Sequence, residues 1–164
     1  MKSAPLPKNE QQRMEKVQAL GLLDTKPEER FDEITRDAIK VFNVPISTIT
    51  IVDENREWYK SCQGTDTKEM PREVSFCAHA MLSKEIFVVE DTLKDERFKD
   101  NPMVVGKPYI RFYAGVALHD QAGISIGIFC IKDTKPRSLS PGELSMLLDF
   151  AVRAEKELRR GVQV

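Results

Sequence analysis

The feature that most constrains this chain is a pair of apolar stretches in its second half. Residues 110–118 and 124–132 are joined by Asp120-Gln121-Ala122-Gly123, which has turn chemistry, so the two predict an antiparallel hairpin. Successive side chains of a strand point to opposite sides of the sheet. Ile110, Phe112, Ala114, Val116 and Leu118 therefore share one face, assigned to a core under helices. Arg111, Tyr113, Gly115 and Ala117 share the other. A cation and a phenol followed by very small residues suit the wall of a cavity or a face open to water, and the alternation alone does not choose.

Other segments place elements around this hairpin. The β-branched run Ile46–Val52 reads as a strand, and Glu57–Cys62 as its partner across Asp53-Glu54-Asn55-Arg56. Ile86–Val89 reads as a further strand. Helical spacing is expected over Asn9–Leu23, with Asn9 as N-cap, and over Glu28–Phe42, where Phe31, Ile34, Ala38, Val41 and Phe42 fall on one face. Ser75–Leu82 reads as a short helix. Ser140-Pro141-Gly142-Glu143 supplies an N-cap, a proline at the first helical position and a capping-box glutamate, so a last helix runs to about Arg160. The sum is an α+β domain: a central antiparallel sheet of five or six strands, helices on one face, an irregular middle on the other.

The 164 residues suit one domain, expected over 9–160, with a frayed tail at 1–8 and a short tail at 161–164. A net charge of -1 gives no reason to expect nucleic acid or an anionic membrane as partner. No apolar run is long enough to span a bilayer and 1–7 has no signal core, so a cytoplasmic location is expected. Cys62, Cys77 and Cys130 lie in or beside apolar segments and read as reduced thiols. No CxxC or HxxxH pair starts a metal site, and none is expected.

The stretch Asp91–Gly106 bears on function. Loops longer than about 12–15 residues are uncommon in compact domains and are commonly lids. This one carries Phe98, Pro102, Met103, Val104 and Val105, which need burial, so it is expected to fold over the Arg111/Tyr113 face.

Several motifs in order resemble the GAF domains of bacterial signalling proteins: Pro71-Arg72-Glu73-Val74-Ser75-Phe76-Cys77-Ala78-His79, Val89-Glu90-Asp91-Thr92, Arg97-Phe98, Asn101-Pro102, Ile110-Arg111-Phe112-Tyr113-Ala114-Gly115 and Ile126-Gly127-Ile128-Phe129-Cys130-Ile131-Lys132-Asp133. The likeness runs from about Asn9 to Leu158. It implies a GAF-like α/β/α sandwich with terminal helices on one face and a ligand pocket on the other. It implies a non-enzymatic sensor, or a dimerising connector, ahead of a histidine kinase or diguanylate cyclase output module. Carried over residue by residue, the ligand-binding candidates are Phe76, Cys77, His79, Asp91, Phe98, Asn101, Pro102, Arg111 and Tyr113.

Within that set, Arg111 is the natural reader of a small anionic or zwitterionic ligand, through a bidentate pair with a carboxylate or phosphate. A salt bridge to Asp91 or Asp95 is its expected partner in the empty protein, and Arg111 with Asp91 is expected to form a polar latch. Cys77 and His79 lie two apart on a helix, about 200° around it, and do not meet as nucleophile and base. No catalytic residue is expected. Ala78 separates Cys77 from His79, whereas bilin-binding GAF domains place cysteine directly before histidine, so covalent bilin is not expected and the cofactor is left open. The apolar stripe Leu144, Leu147, Leu148, Ala151 and Val152 is wider than one sheet requires. With Met14, Val17 and Leu20 it predicts a homodimer through the terminal helices. Two rival readings stand beside the sensor: a cysteine-dependent reductase of free methionine sulfoxide, and a structural dimerisation module with no ligand.

Overall fold

Six strands, β1 (Ile46–Val52), β2 (Arg56–Gln63), β3 (Glu69–Pro71), β4 (Phe87–Val89), β5 (Phe112–His119) and β6 (Ser125–Asp133), form one sheet in the order β3-β2-β1-β6-β5-β4. Every neighbouring pair is antiparallel. The computed structural model describes residues 1–163; Val164, the end of the expected 161–164 tail, lies outside the described residues. Both expected hairpins are present. β3 comes from a segment that reads as polar loop, because three residues on an edge carry too little pattern to register.

Helices α1 (Glu10–Leu20), α2 (Glu29–Phe42) and α5 (Pro141–Arg160) cover one face of the sheet. Phe31, Ile34, Ala38 and Phe42 of α2 meet Ile49 and Ile51 of β1, Phe129 and Ile131 of β6, and Leu147, Phe150, Ala151, Ala154 and Leu158 of α5. The short helices α3 (Phe76–Ala80) and α4 (Pro102–Val105) cover the other face over a second core. β1 is thus sandwiched, and all seven of its residues are buried. The α5 capping box is complete: Ser140 Oγ accepts from Glu143 N–H at 3.1 Å and the Glu143 carboxylate accepts from Ser140 N–H at 3.1 Å.

Several local expectations are corrected. Asn9 makes no side-chain cap, and Gly21, in the left-handed region at φ 69°, ends α1 three residues before Asp24. Val41, expected on the apolar face, is half exposed. β5 starts at Phe112, so Ile110 lies ahead of the strand and packs in the second core instead of under the helices. The 1–8 tail, expected to fray, is held along its first part: Lys2 N–H donates to Arg97 O at 3.1 Å, Ser3 Oγ to Glu73 O at 2.8 Å, and Ala4 packs on the second core.

The sequence carries no hint of one buried ionic cluster. Arg13 of α1 donates to both Glu10 oxygens, at 2.7 and 3.2 Å, and to Val52 O at 2.7 Å, while Arg72 also pairs with Glu10. The two guanidiniums hold the Glu10 carboxyl below its ordinary range despite the opposing effect of burial. The cluster pins α1 to the end of β1 and to the turn 72–74.

Candidate functional site

Register decides which side chains of distant segments meet on the second face, since residues directly opposite in antiparallel strands share a side. One row runs Tyr113–Lys132–Ile46 across β5, β6 and β1. The next runs Gly115–Cys130–Thr48–Cys62 across β5, β6, β1 and β2. Tyr59 stands opposite Thr50, with a β-bulge beside it, and Glu57 stands opposite Val52 and Met70. A β-sheet face inside the protein therefore carries an ammonium, a carboxylate, two phenols, two threonines and two of the three thiols.

Most of these groups partner one another. Thr48 Oγ1 lies 2.7 Å from Thr50 Oγ1 and 3.0 Å from Cys130 Sγ. Cys77 of α3 joins Cys130 in the second core, and the Tyr113 hydroxyl donates to Cys77 Sγ at 3.2 Å. Burial pushes the Cys77 thiol and the Tyr113 phenol well above their ordinary values. Burial acts the same way on Cys130, but contact with Cys77, the Lys132 ammonium and Thr48 outweigh it and bring that thiol down to about 7.

Two charged groups are left over. Glu57 is fully buried, and neither carboxylate oxygen has a hydrogen-bond partner among the described residues. Lys132 is 4% exposed, and its ammonium makes no hydrogen bond or ion pair among the described residues. It faces the rings of Tyr59 at 5.6 Å and Tyr113 at 6.0 Å. Burial works against its charge, but the acidic groups around it, Tyr59, Cys130, Glu57 and Cys77, favour the ammonium. Lys132 lines a cavity of about 80 Å³ with Thr48, Tyr59, Thr67, Met70, Met103 and others. A larger groove of about 430 Å³ lies on the outer side of β2. Its ammonium, Lys60, is already held by Glu28 at 2.7 Å, Thr25 Oγ1 at 2.8 Å and Lys26 O at 2.6 Å.

The nine candidate residues divide differently from the expectation. Phe76, Cys77, Phe98 and Tyr113 do converge, but they fill the space between sheet and lid rather than line it. Phe76 stacks on Phe98 at 4.3 Å and on Tyr113 at 5.3 Å. The room behind Gly115 is taken up by the Tyr113 ring. Asn101 caps α4, accepting from Met103 N–H at 2.9 Å and donating to Val74 O at 3.0 Å; Pro102 follows it, exposed, at the first helical position. Asp91 caps the turn 92–94 through Leu93 N–H at 3.1 Å. His79 points away from Cys77: its Nε2–H donates to Lys2 O at 2.9 Å, and its ring sits edge-on to Phe98 at 4.9 Å.

The Arg111–Asp91 latch is absent, and so is an Arg111–Asp95 pair. Arg111 donates to the carbonyls of Val104 at 2.8 Å and Ile110 at 3.2 Å, closing the end of α4, while Asp95 pairs with Arg97. Lying ahead of β5, Arg111 falls outside the alternation that placed it on the cavity wall. The cation of the cavity is Lys132. Its sequence signal was available: a lysine directly after the apolar run 126–131, with Asp133 ending the strand. Among the described residues no group of three or more His, Cys, Asp or Glu side chains is placed to hold a metal, and no helix is long and apolar enough to cross a membrane.

The GAF domain family model matches residues 26–158. The chain belongs to the GAF domain family. It is 42% identical, over 152 residues, to a cyclic di-GMP phosphodiesterase of Pseudomonas aeruginosa, a match covering 92% of this chain. The chain spans 26% of that relative's length. Among solved structures, the GAF domain from a phosphoenolpyruvate-protein phosphotransferase of Coxiella burnetii superposes with a TM-score of 0.67 at 12% identity, covering 92% of each chain. A type II free methionine-R-sulfoxide reductase from Thermoplasma acidophilum superposes with a TM-score of 0.66 at 15% identity, covering 81% of this chain and 92% of its own. Identities this low establish the shared fold alone. The GAF fold of this domain is thus a helix-backed sheet whose second face holds the polar groups around Lys132 and Glu57.

Proposed function

We propose that this GAF domain is a cytoplasmic, non-enzymatic sensor that binds a small polar ligand, anionic or zwitterionic, at Lys132. The observation that carries the reading is a lysine 4% exposed whose ammonium faces a cavity with no hydrogen-bond acceptor among the described residues. A charge largely withdrawn from water without a partner is costly, so such a group favours a counter-group. Thr48 and Tyr59 add hydroxyls beside it. A ligand there would bear on β1, β2 and β6 together, and so on the helices packed behind them. By analogy with the relative from Pseudomonas aeruginosa, a cyclic di-GMP enzyme is the proposed output module, with a histidine kinase as the other class. A homodimer is the proposed assembly, since Leu148 and Val152 of α5 are exposed on the side away from the sheet.

Thermal-shift titration with small carboxylates, phosphate and free amino acids tests the site. At least one should raise the melting temperature of the wild type. The rise should vanish in Lys132→Met and persist in Arg111→Ala. A rise that survives Lys132→Met places the ligand elsewhere. A wild type indifferent to every compound favours a structural dimerisation module, which the aromatic filling by Phe76, Phe98 and Tyr113 also supports.

A further inference from the structure

Cys77 and Cys130 lie 53 positions apart in chain numbering (130 − 77), on a helix and a strand, yet both are fully buried in the second core, where α3 packs on β6. Each has its own hydroxyl: Thr48 Oγ1 at 3.0 Å from Cys130 Sγ, and the Tyr113 hydroxyl at 3.2 Å from Cys77 Sγ. Thr48 and Lys132 both line the cavity, so its wall is one side chain away from Cys130. The third thiol, Cys62, is engaged with Thr65 O at 3.8 Å and touches neither.

We propose that Cys77 and Cys130 are a peroxide-reactive dithiol, and that a small hydroperoxide entering the cavity beside Thr48 and Lys132 oxidises them to a disulfide joining α3 to β6.

The surroundings assign the roles. The thiolate is the nucleophile in such chemistry. Cys130 has the ammonium of Lys132 two residues along its own strand and on its own face, and the Thr48 hydroxyl at 3.0 Å, so its thiolate is the better stabilised of the pair. Cys77 stays protonated in its apolar surroundings. In the first step the Cys130 thiolate attacks one oxygen of the hydroperoxide. The S–O bond forms, the O–O bond breaks, and the alkoxide or hydroxide that leaves takes up the proton released by Cys130. In the second, the Cys77 sulfur attacks the sulfenic sulfur. The S–S bond forms, the S–O bond breaks, and the hydroxyl leaves as water with the Cys77 proton. Two thiols are oxidised by two electrons, one hydroperoxide is reduced, and the products are a disulfide, water and either water or an alcohol.

Cavity size sets the substrate. A cavity of about 10–15 Å³ holds one water molecule, so about 80 Å³ readily admits hydrogen peroxide and favours it over a bulkier aryl hydroperoxide. This inference stands on the thiols and does not require that Lys132 bind a ligand.

The test uses the whole chain, reduced, freed of reductant and exposed to hydrogen peroxide near neutral pH. Non-reducing peptide mapping should show a Cys77–Cys130 linkage lighter by two hydrogens and reversed by dithiothreitol, with Cys62 still a free thiol. In Cys77→Ser, peptide mass should show oxygen added at Cys130. Lys132→Met should slow the oxidation several-fold, and cumene hydroperoxide should be at least tenfold slower than hydrogen peroxide on the native protein. The wild-type map needs no variant to fold. Oxidation arriving first at Cys62, a linkage formed only after denaturation, or equal rates for the two hydroperoxides would each overturn the proposal.

Discussion

Substituting Gly115 by alanine tests whether the second face is filled in the way the packing implies. A methyl at this position would stand 2.5 Å from Tyr113 Oη, and 2.8 and 2.9 Å from the ring atoms Cε1 and Cζ. Tyr113 is fully buried and stacked on Phe76, so its ring has no open side to move to. Overpacking of this kind costs about 1–3 kcal/mol. Displacing the hydroxyl from Cys77 Sγ strands a buried donor, worth about 1 kcal/mol more. Replacing glycine in an extended strand returns about 0.5 kcal/mol through the unfolded chain. The net is a loss of about 1.5–3.5 kcal/mol, read from urea unfolding midpoints at constant m-value. Tyr113→Phe removes the nearest clashing atom, so in the double variant the loss should be at least about 0.5 kcal/mol smaller than the sum of the single losses. Gly123→Ala is the control: φ is +81° with nothing within 4 Å, so backbone strain alone should cost about 1 kcal/mol. A Gly115→Ala protein within about 0.5 kcal/mol of the wild type would mean the Tyr113 ring is not fixed over Gly115, and the reasoning fails.

Other perturbations probe the remaining clusters. Glu10→Gln leaves the Arg13 and Arg72 guanidiniums without their carboxylate and should cost about 2–3 kcal/mol in urea unfolding, far above the few tenths usual for a surface glutamate. Arg111→Ala should cost about 1–2 kcal/mol through the carbonyls of Val104 and Ile110, with no gain or loss of ligand response. Burial lowers the His79 pKa below its ordinary 6.5, with Arg97 and Lys2 acting in the same direction and the Lys2 carbonyl and Asp95 against it. A base depressed in the folded state leaves the unfolded chain binding more protons below that value. Its contribution is therefore full above pH 6.5 and declines as pH falls toward the native value. Urea midpoints measured from pH 7.5 to 5.5 should fall, and the fall should be shallower in His79→Gln. Ser140→Ala should cost about 1 kcal/mol by breaking the capping box, an effect that a second substitution at Glu143 should not double.

What the chain announces by itself is local. The hairpin 112–133, the strand 46–52, the amphipathic α2 and the capped α5 are legible because each is a period of 2 or 3.6 with its own punctuation. Together with the motif order, they are enough for the GAF fold. The floor and lid were also legible as a region, because Phe98, Met103 and Val104 had to be buried somewhere. Register and side-chain direction were not. Starting β5 at Phe112 takes Arg111 off the cavity wall, and folding Tyr113 over Gly115 converts expected space into packing. The pairing of β6 with β1 and β5 brings Lys132, Thr48, Cys130 and Tyr113 together, and α3 drops Cys77 onto them. Their adjacency is a property of strand order, and no window of sequence contains it. Hydrophobic periodicity determined which faces are buried; only the tertiary pairing decided which polar groups are buried together.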